Sequence, residues 1–102
     1  MSKNIVWHNN KWQDISAMHI SIKDRAIRFS DAIFETVLIK KNSAILLEEH
    51  INRLNDSLML LNFNFNLDIK FITKIISEGI KKLSLNNDQF GSIRINYSRG
   101  LN

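Results

Sequence analysis

The sequence predicts an α+β fold: a two-layer domain in which a mainly antiparallel sheet is covered by two helices. Three observations predict it. Apolar residues alternate with period two in "IFETVLIKKNSAILL" and again in "FGSIRINYS". Between these runs, two segments carry apolar residues at steps of three and four, the spacing of one helix face. At 102 residues, 44% of them hydrophobic, the chain has material for one core and one domain. Strands, then helices, then a strand is the order of a helix layer laid over a sheet.

In chain order, "IVWHNNKWQ" reads as a hairpin. Its Asn9-Asn10 turn tolerates positive φ and sets Trp7 across from Trp12. "HISIKD" alternates and predicts a short strand ending at Asp24. "IFETVLIKKNSAILL" predicts two strands joined at Lys41-Asn42-Ser43, because β-branched residues dominate it. Leu47, Ile51, Leu54, Leu58 and Leu61 then mark one side of a helix, with Glu48 and Glu49 at its positive end and His50, Arg53 and Ser57 in a stripe beside the apolar face. A second helix is expected from an Asp68 cap to about Leu83, burying Ile69, Ile72, Ile76, Ile80 and Leu83. "SIRINYS" returns to period two, with Ile93, Ile95 and Tyr97 on one face.

Composition narrows the chemistry. Without cysteine there is neither a disulfide framework nor thiolate metal ligation, and a reducing cytoplasm is the expected compartment. No apolar run reaches membrane-spanning length and no signal-peptide pattern opens the chain, so no membrane partner is expected. The formal charge of +4 is carried by lysines dispersed among acids, which reads as a solvated surface. A small basic α+β binding or interaction module, with nucleic acid as one partner its charge would allow, is the alternative, and it requires a continuous basic face. His8, His19 and His50 have no metal-site spacing.

Three places could carry chemistry. In "KDRAIRFSDAIFET", Asp24, Arg25, Arg28 and Asp31 crowd one connection, an arrangement that more often makes a solvated loop with internal ion pairs than a catalytic site. Arg53 offers a planar fork suited to phosphate or carboxylate, although pairing with Glu49 or Asp56 would account for it equally. Arg99, with Gly100, ends the last strand and could hold an anion or begin a turn.

Taken in order, "ISIKDRAIRFSDAIFET", "LLEEHINRLNDS" and "IRINYSRG" resemble the N-terminal domain of the class IV, fold-type IV pyridoxal-phosphate enzymes. This family includes D-amino-acid aminotransferase, branched-chain aminotransferase and aminodeoxychorismate lyase. The resemblance runs from about residue 5 to residue 100, and the "DRA" and "SRG" elements look most like the lyase, with D-amino-acid aminotransferase close behind. It implies pyridoxal phosphate as cofactor in the intact enzyme, with weak or absent binding by this chain alone. It implies Arg53, in "HINRL", as the cofactor-phosphate ligand, and Phe29, Phe34 and Arg99 as residues facing the substrate. The substrate would be an amino acid or aminodeoxychorismate, the assembly a homodimer, and nucleic acid no partner.

Three departures accompany the resemblance. Where a tyrosine at position 34 would donate a hydrogen bond, phenylalanine cannot. Ser30 and Ala32 stand where the family's loop carries glycines, so the loop adopts its shape at some cost. The lysine that joins the cofactor covalently lies downstream of "SRG" in the family, and no lysine here matches it. The expectation is that residues 1–102 form the N-terminal small domain of a class IV aminotransferase-like enzyme, without the catalytic-lysine domain and inactive alone.

Overall fold

In a computed structural model the described residues are 4–101. They form an α+β domain of antiparallel strands and helices, as the sequence predicts. Strands β1 (Ile5–His8) and β2 (Lys11–Asp14) make the expected hairpin. Asn9 and Asn10 take φ of 52° and 65°, and Trp7 pairs with Trp12. A 3-10 turn, Ile15–Ala17, follows under an Asp14 cap.

The strand expected in "HISIKD" does not form. Residues 18–24 are coil and turn, with Asp24 N donating to Ser21 O at 3.0 Å. Ile20 and Ile22 are 58% and 81% exposed, so their alternation has no surface to pack on and no neighbouring strand to complete a ladder. The crowded connection after it is also more ordered than a loop: a short helix α1 (Arg25–Phe29) is capped by Asp24. It ends at Ser30 in the left-handed region, φ 54°, the conformation for which a glycine would be the easier residue.

The main sheet has the order β4-β3-β5, all antiparallel. Its central strand β3 (Ala32–Lys40) turns through Lys41-Asn42 into the two-residue β4 (Ser43–Ala44), and pairs along its whole length with β5 (Phe90–Ser98). Helix α2 (Leu47–Leu60) packs on β3 and buries Ile51, Leu54 and Leu58. Leu61, expected on that apolar face, is the C-cap and half exposed. Helix α3 (Ile69–Leu83) starts at the Asp68 cap, whose carboxylate accepts from Lys70 N and Phe71 N.

Helix α3 is buried on two sides, which its main apolar stripe alone does not foretell. Ile76 and Ile80 meet Ile39 of the sheet, with Ile72 and Leu83 beside them. On a second side, Ile75 and Gly79 are buried, and there the hairpin lies. Trp7 meets Phe71 edge-on at 6.1 Å, and the Trp12 ring sits against Gly79. The hairpin is therefore a separate two-stranded sheet on α3 rather than a continuation of the main one.

Alternation along β3 divides the strand sharply. Glu35, Val37 and Ile39 face the helices and are buried, whereas Phe34, Thr36, Leu38 and Lys40 are exposed. Ile95, like Ile93, packs toward the core, so it belongs to the covered face and not to the open apolar one that carries Phe34, Leu38 and Phe90.

Gly79 supplies a test of this packing. A Cβ there would overlap Cζ2 and Cη2 of Trp12, a rigid ring. Gly79→Ala should therefore destabilise by about 1–3 kcal/mol from overpacking, despite the roughly 1 kcal/mol of helix propensity that alanine adds. Urea titration followed by tryptophan fluorescence measures it. A stabilised Gly79→Ala would mean that the hairpin does not rest on α3.

Candidate functional site

The first cluster is built by β3 and α2. Glu35 is in phase with Val37 and Ile39, so the pleat turns a carboxylate toward the core side, where it is 8% exposed. A buried charge requires a partner. Helix α2 brings two, one turn apart: Arg53 donates from Nε to Oε2 at 2.9 Å and from Nη2 to Oε1 at 2.7 Å, and His50 Nδ1 lies 2.7 Å from Oε1. Hydrogen bonding from Arg53 holds the Glu35 carboxyl below the usual range, burial opposes this, and His50 adds to the lowering. Glu35 in turn raises Arg53.

Arg53 is thus paired with neither Glu49 nor Asp56. Its side chain remains 68% exposed, and Glu35 takes only its Nε and one Nη2 proton. Of five N–H groups, both on Nη1 and one on Nη2 are left by this pairing. Such an edge fits two oxygens of a phosphate monoester. It is one cation, so it can form part of a phosphate cradle.

The second cluster closes the far end of the sheet. Asp31 accepts from Arg25 Nε at 2.7 Å and from Arg99 Nε at 2.8 Å. Arg99 also donates to the carbonyls of Leu61 (3.0 Å) and Asn62 (3.4 Å), and its guanidinium lies 3.8 Å from the Phe63 ring centre. Backbone bonds from Arg25 N to Gly100 O and from Arg99 N to Asp31 O tie α1 to the end of β5. Ser98 Oγ donates to Asp24 Oδ1, the same carboxylate oxygen that caps α1. Hydrogen bonds from Arg25 and then Arg99 keep the Asp31 carboxyl low, and those from Ser98 and Ala26 do so for Asp24.

A shallow cleft of about 470 Å³ opens here, lined by Phe29, Asp31, Phe63 and Arg99 among others. Phe29 is 54% exposed, with Arg25 and Arg28 at 4.8 and 4.7 Å from its ring centre. The structure therefore brings Phe29 and Arg99 together. Phe34 stands apart on the open sheet face under Arg94, 3.8 Å from its ring centre. Phe34 and Glu35, the anchor of Arg53, are consecutive residues and point to opposite faces.

Sequence reasoning missed Glu35. Its signal is a glutamate in phase with buried Val37 and Ile39, and the partner choice becomes visible only when α2 is laid across β3.

The Amino-transferase class IV family matches residues 32–102 of the chain. A branched-chain-amino-acid aminotransferase-like protein 2 from Arabidopsis thaliana is 29% identical over 101 residues, 97% of this chain and 17% of that protein. Among solved structures, a fold IV-transaminase from Curtobacterium pusillum superposes with a TM-score of 0.80 at 26% identity, covering 89% of this chain and 31% of that one. The PLP-bound form of a hypothetical aminotransferase from Mycobacterium tuberculosis gives 0.78 at 25% identity over 90% of this chain and 32% of that one. 4-Amino-4-deoxychorismate lyase from Pseudomonas aeruginosa gives 0.64 at 25% identity over 81% of this chain and 28% of that one. The chain thus spans about a third or less of the length of each of these proteins. These matches leave the nucleic-acid or interaction module without support.

Acid should weaken the first cluster in a definite direction. Because the folded pKa of Glu35 is depressed from 4.5, its stabilisation is complete above that value and is lost as the pH falls through the folded one. Asp24 and Asp31 add the same slope below 3.8. Urea midpoints measured from about pH 7 down to about pH 3 should show the gap between the unsubstituted chain and Glu35→Gln narrowing as acid is added. A gap independent of pH would remove the charged Glu35 from the account. The family match over most of the chain, together with the superposition on fold-type IV enzymes, establishes that this chain belongs to the amino-transferase class IV family and corresponds to the N-terminal part of its members.

Proposed function

We propose that the chain is the N-terminal small domain of a pyridoxal-phosphate-dependent class IV aminotransferase or aminodeoxychorismate lyase. The observation that carries this reading is Arg53, an exposed guanidinium edge anchored by a buried carboxylate, in a chain of this family. Arg53 would hold the cofactor phosphate. Bound pyridoxal phosphate supplies the electron sink for chemistry at the substrate α-carbon. Phe29 and Phe34 would form apolar walls toward the substrate, excluding water from it. Arg99 would receive a substrate carboxylate, which takes the position that Asp31 fills here. The covalent cofactor link would fall to a lysine outside residues 1–102. Every lysine among the described residues is exposed, the opposite of the desolvated setting that such an amine needs.

The substrate would be an amino acid or aminodeoxychorismate, the setting the cytoplasm, and the assembly a homodimer. The open sheet face, with Phe34, Leu38 and Phe90 exposed, is where apolar cover from a second domain or subunit would be gained. Light scattering of the chain at high concentration should find dimers or larger species. A strict monomer would count against that cover.

On its own, residues 1–102 should give no transaminase or lyase turnover and bind pyridoxal phosphate with a Kd weaker than about 1 mM. Borohydride reduction with stoichiometric cofactor, followed by peptide mass mapping, should label surface lysines in a scattered and substoichiometric way. One fully labelled lysine, accompanied by turnover, would falsify the reading.

A further inference from the structure

Arginine presents two hydrogen-bonding edges: Nε with one Nη2 proton forms the side edge, and the two Nη groups form the end edge. In Arg53 the side edge is fully engaged by Glu35, through Nε to Oε2 and Nη2 to Oε1. The carboxylate is itself tied a second time, by His50 Nδ1 at Oε1, from the preceding turn of α2. The fixed end of this relay is inside, since the Glu35 side chain is 9% exposed, and the free end is outside, since that of Arg53 is 68% exposed. An exposed arginine normally samples many rotamers, and ordering it opposes binding. Here the ordering is already done by groups that belong to the core.

We propose that Glu35 is a positioning residue for anion binding: it locks the side edge of Arg53 and aims the end edge at the phosphate, while His50 holds Glu35 in place. This rests on the reading of Arg53 as the phosphate ligand. The charge of Glu35 also repels a dianion, so orientation and repulsion act in opposite directions. The sign of the effect of removing that charge decides which dominates. The proposal requires orientation to dominate, and it requires phosphate to add to the Glu35 pair rather than displace it.

The test is a titration of the ¹⁵N-labelled full chain with inorganic phosphate at constant ionic strength, following the arginine Nε–H and Nη–H signals by NMR. Arg53 is assigned by the loss of its signals in Arg53→Lys. The expected result is that the Arg53 Nη signals move while its Nε–H signal keeps its shift. In Glu35→Gln, phosphate affinity should fall by at least about threefold and the Nε–H signal should begin to respond. Movement of Nε–H in the unsubstituted chain, or affinity in Glu35→Gln equal to or above that of the unsubstituted chain, overturns the positioning role while leaving Arg53 as a phosphate ligand. If no Arg53 signal moves in the unsubstituted chain, the phosphate reading falls and the positioning role with it. Should Glu35→Gln fail to fold, the contrast between Nε and Nη in the unsubstituted chain still decides.

Discussion

The carboxylate of Glu35 sits on the covered face of the central strand, and its demand for partners organises the centre of the molecule. A lone ionised group there would be expensive to desolvate, so β3 and α2 can pack only in a register that brings Arg53 and His50 over it. The same packing of α2 on β3 leaves Ile51, Leu54 and Leu58 of the helix and Val37 and Ile39 of the strand buried. Apolar burial drives the two elements together; the ion cluster selects one alignment among those that burial would permit.

A second carboxylate plays a related part at the other end of the sheet. Asp31 gathers Arg25 from α1 and Arg99 from the end of β5, and Arg99 reaches on to the last carbonyls around α2. The Asp31 carboxylate is more exposed than that of Glu35, so water screens it more. The two arginines differ in kind: Arg53 is anchored with one edge open, whereas Arg99 is engaged by Asp31, by the Leu61 and Asn62 carbonyls and by the Phe63 ring.

The sheet itself separates functions by face. Core-facing residues of β3 and β5 carry packing and the anchored arginine, while the opposite face carries Phe34, Leu38, Phe90 and Arg94 without a covering layer among the described residues. Consecutive residues Phe34 and Glu35 serve these two faces because side chains alternate along a strand. Under the proposed function, the open face is the wall that other parts of the enzyme would cover.

Periodicity in the sequence determined the hairpin, the two long helices, the Asp68 cap and the long strands, because each is set by short-range spacing or by local hydrogen bonds. It also singled out Arg53, Arg99 and the charged connection of Asp24, Arg25, Arg28 and Asp31, since fixed charges near apolar faces stand out in any register. It failed for "HISIKD", where alternation is present but a partner strand is not, and strand formation depends on that non-local partner. It did not reveal that α3 is covered on two sides, because Gly79 carries no side chain to mark a face, and its role appears only where the Trp12 ring arrives. Above all, the pairing of Arg53 with Glu35, eighteen residues away, was decided by tertiary structure. Glu49 and Asp56 are nearer in sequence, but the energetic claim of a carboxylate buried on a strand exceeds that of solvated acids on the same helix.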